Sequence, residues 1–272
     1  MYKLICSDLD GTLLVSGGKV DPLLRDAIKA YERAGGKFCV VTGRMTVGAL
    51  PVCQALDLHG ELVTYQGAIV SDIDSGKITY EKKIGYEKAA KIAEYIERNG
   101  WYCQTYYGDK FFTATPNDFS KIYAKISYTN FVKTDEKLYE YILQRKENVP
   151  KIIVMHDHAG IPEILKKLRE KFGLECLINT SNPQLIEILD RSVNKGNAVR
   201  ALAEKYGIKR EEVLCIGDSE NDLTMVEYAG LGVCVADGSD LLKEKANLTV
   251  PVTCEQGAVR YVIEKIALKD RQ

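Results

Sequence analysis

Short, continuous apolar runs alternate with amphipathic stretches in the first part of the chain. Residues 3–9, 37–41 and 62–65 are apolar runs of strand length, while residues 22–34 and 46–56 carry apolar residues at helical spacing. Strands that alternate with helices form parallel sheets, and continuous apolar runs are typical of strands that helices cover on both faces. This part of the chain therefore predicts a doubly wound α/β fold.

The same alternation returns after residue 190. The predicted elements there are helices over 195–206, 221–228 and 257–267 and strands over 212–216 and 231–235. Because both ends of the chain show one pattern, we expect residues 1–82 and 190–272 to build a single sheet. Binding sites in such folds lie outside the carboxyl ends of the strands.

The segment between them, residues 83–189, follows a different pattern. Its predicted elements are helices over 86–98, 136–143 and 161–172, strands over 101–107, 111–114 and 152–156, and two closing strands. Strands outnumber the helices that could cross between them. This segment therefore predicts an α+β domain inserted into the sheet-forming domain.

Composition narrows the possible functions of this 272-residue chain. Hydrophobic residues make up 46% and charged residues 28%, which excludes a disordered protein, and the formal net charge is −1. Without a block of Lys or Arg, neither nucleic acid nor a membrane surface is an expected partner, so a small molecule fits better. The eight cysteines are scattered and form no CxxC pair, and the sequence shows no secretory signal and no apolar stretch of membrane length. These features predict reduced thiols in a cytoplasmic protein. These features leave the oligomeric state open.

Two carboxylates, Asp8 and Asp10, lie where the first predicted strand ends. Gly11 lets the backbone turn just beyond them, so both acids are expected at one mouth. Two such charges repel by about 4 kcal/mol at roughly 4 Å and an effective dielectric constant of about 20, so a cation, a proton or both must offset them. The segment predicts a metal site, although Asp and Gly also form ordinary surface turns.

Two further strand ends and one helix start carry groups that suit a phosphate and a cation. Thr42 and Gly43 follow strand 37–41 before a helix, where free N–H groups suit a phosphate oxygen, although Thr is also a common helix cap. Asp218 follows the strand over 212–216, and with Asp8 it could supply the carboxylates that Mg²⁺ accepts. Lys195 adds a positive charge for a phosphate oxygen, although a single lysine is usually solvated.

Together these motifs resemble those of the haloacid dehalogenase superfamily of phosphohydrolases. The four matching segments are Asp8-Leu9-Asp10-Gly11-Thr12, Thr42-Gly43-Arg44, Lys195-Gly196 and Gly217-Asp218-Ser219-Glu220-Asn221-Asp222. The insertion is similar to the α+β cap of the Cof-like subclass IIB, so the resemblance implies a Rossmann-like core over 1–82 and 190–272 and a cap domain over 83–189. One departure is Gln66, where many relatives carry Asn.

The resemblance implies a Mg²⁺-dependent phosphatase that forms an aspartyl-phosphate on Asp8. In that scheme Asp10, crowded by Asp8 and Asp218, protonates the leaving oxygen and then activates water. The resemblance implies that the catalytic residues are Asp8, Asp10, Thr42 and Lys195. The implied metal ligands are Asp8, the Asp10 carbonyl and Asp218. The implied phosphate contacts are Leu9, Thr42, Gly43, Lys195 and Asn221. Asp222 would orient Lys195 or a metal-bound water.

Other functions fit the same residues. A phosphomutase on this scaffold would pass the phosphoryl group to a sugar hydroxyl, and a phospho-Asp signalling or phosphate-binding module would need the acidic strand ends and the lysine without turnover. For a phosphatase, small phosphomonoesters such as sugar phosphates or nucleotide and flavin phosphates are all candidate substrates.

Overall fold

In a computed structural model, which describes residues 2–127 and 129–269, strands and helices alternate along most of the chain. The strands are β1 (Leu4–Ser7), β2 (Leu14–Val15), β3 (Lys19–Val20), β4 (Lys37–Val41), β5 (Glu61–Thr64), β6 (Ile69–Asp72), β7 (Ile78–Glu81), β8 (Tyr102–Tyr107), β9 (Lys110–Thr113), β10 (Phe131–Lys133), β11 (Ile152–Met155), β12 (Cys176–Asn182), β13 (Leu185–Asp190), β14 (Val213–Gly217), β15 (Leu231–Cys234) and β16 (Leu248–Thr249).

The helices are α1 (Leu24–Arg33), α2 (Thr46–Ala55), α3 (Tyr86–Arg98), α4 (Asp118–Ile126), α5 (Leu138–Arg145), α6 (Ile161–Phe172), α7 (Lys195–Lys205), α8 (Leu223–Tyr228), α9 (Asp240–Lys245) and α10 (Ala258–Val262). A π-helical turn over Ile263–Ala267 continues α10. Among the residues that the structure describes, no helix combines the length and the apolar character needed to cross a bilayer.

The chain forms two compact units, each with its own hydrophobic core. The first comprises Met1–Arg44, Ala49–Tyr80 and Asn194–Gln272, and the second comprises Met45–Gly48 and Glu81–Val193. Residues 270–272, which the sequence assigns to the core domain, lie outside the described residues. The domain boundaries drawn from the sequence, at 82/83 and 189/190, stay a prediction.

The first unit is built on an eight-stranded sheet of order β16-β15-β14-β1-β4-β5-β6-β7. The pairs from β16 to β5 run parallel, and β6 pairs antiparallel to β5. Alternate residues of β1 enter different apolar clusters, Ile5 on one face and Leu4 and Cys6 on the other. Both faces of the central strands are therefore buried, which is why their sequences are continuous apolar runs. The predicted doubly wound, mainly parallel sheet is confirmed.

The register of the central strands brings their carboxyl ends to one edge of this sheet. Ser7, the last residue of β1, lies beside Val40 in β4 and Ile216 in β14. Because the three strands are parallel, the residues that follow each of them emerge side by side. Asp8 still donates its backbone N–H to the Ile216 carbonyl at 3.0 Å before the chain leaves the sheet.

The second unit contains a six-stranded sheet of order β10-β9-β8-β11-β13-β12, antiparallel except for the β9/β10 pair. The α+β character predicted for the inserted segment is confirmed. The sequence interpretation missed α4 and β10. Helix α4 is capped by Asn117, which accepts from the N–H groups of Phe119 and Ser120, but Ile122 and Ile126 on it are exposed. A short helix without a clean buried stripe gives only a weak periodic signal.

A buried ion pair in the second unit joins the residue before β11 to strand β13. Lys151 Nζ donates to Glu187 Oε1 at 2.5 Å, and the two side chains are 2% and 5% exposed. Burial disfavours the ammonium form of Lys151, but the charge of Glu187 outweighs it and raises the pKa of the lysine. Each charge is therefore tolerated in the interior because of the other.

Breaking this pair should cost much more than replacing it. We expect Lys151→Met to lower the free energy of unfolding by about 3–5 kcal/mol, because Glu187 is left charged and buried. The double variant Lys151→Met with Glu187→Met should regain most of that loss, as measured by denaturant unfolding. A single variant as stable as the wild type would contradict the assignment of a buried, charged pair.

Candidate active site

Three carboxylates converge at the carboxyl edge of the first unit's sheet. Asp8, Asp218 and Asp222 each offer an oxygen atom, and these atoms lie within 4.8 Å of one another. Asp8 follows β1 and Asp218 follows β14, while Asp222 ends a short 3₁₀ turn that leads into α8. The structure thus brings together two of the acids that the sequence proposes as metal ligands, with Asp222 as the third member of the cluster.

Lys195 lies between two of these acids. Its Nζ donates to Asp8 Oδ1 at 2.7 Å and to Asp222 Oδ1 at 2.6 Å, and its side chain is fully buried. It is the first residue of α7, and the preceding Asn194 caps that helix by accepting from Asn197 N at 2.8 Å. The cap fixes the start of the helix and thereby the origin of the lysine side chain.

Asp222 is held from two directions. Its Oδ1 accepts from Lys195, and its Oδ2 accepts from the backbone N–H groups of Asp218 at 3.0 Å and Ser219 at 3.1 Å. Both oxygens are therefore engaged, which suits a residue that orients Lys195. Asp8 accepts a hydrogen bond on Oδ1 from Lys195, and Asp218 accepts one on Oδ1 from Thr12.

The charges of this cluster do not balance. Burial, together with the charges of Asp222 and Asp218, raises the pKa of Asp8 well above its usual value although Lys195 opposes the rise. Burial and the charge of Asp222 raise the pKa of Asp218 to about 6. Burial disfavours the charged form of Lys195, but Asp222 and Asp8 outweigh it and raise its pKa. One ammonium thus faces three carboxylates, an arrangement that a cation would stabilise.

Asp10 differs from the sequence-based expectation. The sequence predicts that Asp10 is crowded by Asp8 and Asp218, but its carboxylate pairs with Arg44. Asp10 Oδ2 accepts from Arg44 Nε at 2.7 Å, and Oδ1 accepts from a second guanidinium nitrogen of Arg44 at 2.5 Å. The Asp10 side chain is 57% exposed. The expectation relied on the turn at Gly11 to keep both acids at one mouth. Because β1 already ends at Ser7, the chain leaves the sheet before Asp10, and the Asp10 carboxylate pairs with Arg44 instead.

Gly11 and Thr12 both contact Asp218. Gly11 has a φ of 80°, and a Cβ atom there would lie 2.6 Å from Asp218 Oδ2, so only glycine fits. The buried Thr12 hydroxyl donates to Asp218 Oδ1 at 2.7 Å. The sequence interpretation gave Thr12 no role, and its position within the first motif was the available signal.

The Thr42-Gly43-Arg44 segment is fixed by the loop after β5. Thr42 is buried, its carbonyl accepts from Gln66 N at 3.0 Å, and its hydroxyl accepts from Arg44 N at 3.1 Å. Tyr65 N donates to the Arg44 carbonyl at 2.9 Å. Two backbone hydrogen bonds and one side-chain hydrogen bond therefore set the shape of this turn.

The same loop reaches the other segments of the site. Tyr65, Gln66 and Gly67 all have positive φ values, of 52°, 61° and 102°. Gln66 Oε1 accepts from Asn221 Nδ2 at 3.3 Å, and a Cβ atom on Gly43 would lie 2.4 Å from Gln66 Nε2.

Gly67 lies close to the start of α7, and two of the predicted phosphate contacts, Asn221 and Leu9, have defined surroundings. A Cβ atom on Gly67 would lie 2.6 Å from the Asn194 carbonyl, directly before the lysine of α7. Asn221 Oδ1 accepts a hydrogen bond from Ser219 Oγ at 2.7 Å. The Leu9 side chain lies in the hydrophobic core, so Leu9 would contact a phosphate through its backbone. The sequence interpretation noted Gln66 as a departure and did not assign it this linking position.

Comparison with known proteins gives one consistent family. The model of the haloacid dehalogenase-like hydrolases matches residues 5–263. The Bacillus subtilis protein named "Putative phosphatase YxeH" is 32% identical over 283 residues, covering 99% of this chain and all of the relative. A second B. subtilis relative, the 5-amino-6-(5-phospho-D-ribitylamino)uracil phosphatase YcsE, is 27% identical over 260 residues, covering 96% of this chain and 94% of the relative.

Solved structures agree with this assignment. A haloacid dehalogenase-like hydrolase from Bacteroides thetaiotaomicron superposes with a TM-score of 0.87 at 25% identity, covering 98% of this chain and 100% of that one. The subclass IIB sugar phosphatase BT4131 has a TM-score of 0.81 at 20% identity, covering 97% and 99%. The second similarity concerns the fold alone.

The charge imbalance predicts that Asp218→Asn stabilises the metal-free protein. Because the pKa of Asp218 is raised to about 6, its ionisation opposes folding above that pH. We expect the variant to gain on the order of 2 kcal/mol at neutral pH, and to lose this gain towards pH 4, where the wild-type carboxyl is protonated as well.

Denaturant unfolding in the presence of a chelator at the two pH values measures this effect. Asp118→Asn, which removes an exposed carboxylate at the start of α4, is the matched control and should give no gain. A destabilised Asp218→Asn protein at neutral pH would show that the cluster is not repulsive.

Proposed function

We propose that this chain, which belongs to the haloacid dehalogenase-like hydrolases and is a phosphatase of that family, hydrolyses small phosphomonoesters. The reaction would depend on Mg²⁺ and proceed through an aspartyl-phosphate on Asp8. The observation that carries the proposal is the buried Asp8, whose Oδ1 is held by Lys195 within a cluster of three carboxylates. A nucleophile needs a fixed position, and Lys195 supplies it while also offering positive charge to a phosphate oxygen.

The first step transfers the phosphoryl group to the protein. An oxygen of the Asp8 carboxylate attacks phosphorus, and the bond from phosphorus to the leaving oxygen breaks. Asp10 in its protonated form gives its proton to that oxygen, so the alcohol leaves neutral and Asp10 becomes a carboxylate.

The second step returns the protein to its starting state. Water attacks the phosphorus of the aspartyl-phosphate, and the bond from phosphorus to Asp8 breaks. The Asp10 carboxylate takes the proton from the attacking water. Inorganic phosphate leaves, and Asp8 is again a carboxylate.

The cluster has the donor set that Mg²⁺ prefers. Asp8, Asp218 and the Asp10 carbonyl would hold the ion through oxygen atoms, while Asp222, with both oxygens already hydrogen-bonded, holds Lys195. The excess of negative charge in the cluster supports this assignment. When bound, the ion supplies positive charge that offsets the repulsion between the Asp8 carboxylate and a phosphate dianion.

The phosphate oxygens would be held by groups around this cluster. Thr42 offers its hydroxyl, Leu9 and Gly43 offer backbone N–H groups, and Asn221 offers its side-chain amide, in addition to the charge of Lys195. Gln66 supports Asn221 through the hydrogen bond at 3.3 Å. Donors aimed at oxygens that gain charge in the transition state stabilise it.

The substrate would be a small phosphorylated metabolite. Sugar phosphates and nucleotide or flavin phosphates are all candidates, and one relative is named for a phosphorylated ribitylamino-uracil. We place the reaction in the cytoplasm, because the eight cysteines are all unpaired and buried.

We expect Asp8→Asn to abolish the release of inorganic phosphate, because the amide lacks the nucleophilic oxygen. The wild-type protein should release phosphate from members of a panel of phosphorylated sugars, nucleotides and flavins with Mg²⁺, and lose this activity with a chelator. Phosphate is measured colorimetrically and the organic product by mass, which separates hydrolysis from transfer to a sugar hydroxyl.

Asp74→Asn, which alters an exposed carboxylate paired with His59, serves as the matched control and should retain full activity. Activity in the Asp8→Asn protein would remove Asp8 as nucleophile. Activity that survives the chelator would remove the metal from the proposal.

A further inference from the structure

Strand β7 forms an exposed edge of the eight-stranded sheet. It is the last strand in the sheet order, beside β6, and all four of its residues are exposed. Two of them are large and apolar, since Ile78 is 48% exposed and Tyr80 is 45% exposed. The strand at the opposite edge, β16, has only two residues and is followed closely by Pro251. Because short strands and prolines blunt an edge, β7 is the edge that is better suited to pair with another chain.

The hairpin that joins β6 to β7 determines which backbone groups of β7 point outward. The Lys77 carbonyl accepts from Asp72 N at 2.9 Å, so it faces β6. The Thr79 hydroxyl donates to a carbonyl of β6 at 3.4 Å, which places Thr79 beside that strand as well. Backbone groups alternate in direction along an antiparallel strand, so those of Ile78 and Tyr80 point away from the sheet.

A second copy of β7 matches this edge. When two copies run antiparallel about a two-fold axis at Thr79, Ile78 of each copy lies opposite Tyr80 of the other. Both residues then use their outward-facing backbone groups, as a hydrogen-bonded antiparallel pair requires. Aromatic and β-branched side chains also form favourable pairs across antiparallel strands. The edge is therefore complementary to itself in its backbone and in its apolar side chains.

The charges that flank this pairing are complementary as well. In the same register Lys77 of one copy lies opposite Glu81 of the other, and the two-fold axis makes this pair occur twice. Glu81 contacts Lys83 through Oε2 at 2.5 Å, but its side chain is 49% exposed and Oε1 can accept from a second ammonium. Moving the axis from Thr79 to Tyr80 would set Lys77 against Lys83. Like charges directly opposite are destabilising, so the charges favour the axis at Thr79 over that one.

We propose that β7 is a self-association edge, at which two copies of this chain pair antiparallel about Thr79. The interface joins two eight-stranded sheets through the backbone groups of Ile78 and Tyr80, with a Lys77–Glu81 pair at either end. A strand pair of this length is small beside the surface that stable complexes bury, about 1,200–2,000 Å² in total. The dimer should therefore exchange with the monomer and form as the protein concentration rises.

Sedimentation equilibrium of the full chain from roughly 5 to 500 µM measures this association, because weak complexes dissociate in that range. Lys77→Glu and Glu81→Lys each set like charges opposite one another at two positions, so each should weaken the dimer roughly tenfold. The double variant restores opposite charges and should return the dissociation constant to within about threefold of the wild-type value. Lys19→Glu, which makes the same charge change on the exposed β3, is the matched control and should leave the constant unchanged.

Tyr80→Pro tests the backbone pairing. Proline removes an N–H that points outward, so the hydrogen bonds to β6 remain while a hydrogen bond to the second copy is lost. We expect this variant to stay monomeric at all these concentrations. Tyr80→Val keeps the N–H and a high strand propensity and should still dimerise. Far-UV circular dichroism of each variant checks that the fold is retained.

Three results would each overturn the proposal. They are a wild-type chain that stays monomeric over the whole range, a double variant as weak as the two single ones, and a folded Tyr80→Pro protein that dimerises like the wild type. A dimer that none of the β7 variants weakens would place the interface elsewhere on the chain and would also overturn it.

Discussion

The excess of negative charge at the carboxyl edge of the parallel sheet is the constraint around which the site is organised. Parallel strands deliver Asp8 and Asp218 side by side, and a fixed turn adds Asp222. A buried ammonium, Lys195, offsets part of this charge and binds two of the three acids. A hydrophobic core cannot tolerate such a group of charges without partners, so the fold around it must hold each partner at a short distance. The helix cap at Asn194 and the Thr12 hydroxyl serve this purpose.

The loop over residues 65–67 links the segments that bear these groups. Two of its residues, Tyr65 and Gln66, are non-glycine residues in the left-handed region, where each costs on the order of 1–3 kcal/mol. In return, backbone hydrogen bonds from this loop fix Thr42 and Arg44, and the Gln66 side chain reaches Asn221. Backbone strain next to a binding site is maintained only when surrounding contacts determine it, and here those contacts come from three separate segments of the chain. The loop therefore couples residues that lie far apart in sequence.

Sequence periodicity predicted most of the fold because the central strands are buried on both faces and helices such as α1 and α3 are strongly amphipathic. The convergence of Asp8 and Asp218 was also predictable, since parallel strands end at the same edge. The pairing of Asp10 with Arg44 was not, because it depends on where β1 stops and how the chain turns afterwards. The contacts of Gln66 depend on positive φ values that a glutamine does not signal. The sequence pattern did not predict helix α4, because some of its apolar residues are exposed.

Asp8 and Asp10 are identical side chains two residues apart, but their environments differ in a way that suits the two roles proposed for them. Asp8 is buried and bound to an ammonium within an acidic cluster, so its position is fixed and its charge depends on the cations around it. Asp10 is largely exposed and bound to a guanidinium at two points, so its carboxylate is accessible to water. A nucleophile benefits from the first environment and a proton carrier from the second. Gly11 allows both environments, because its positive φ lets the chain pass close to Asp218, while the Asp10 carboxylate pairs with Arg44.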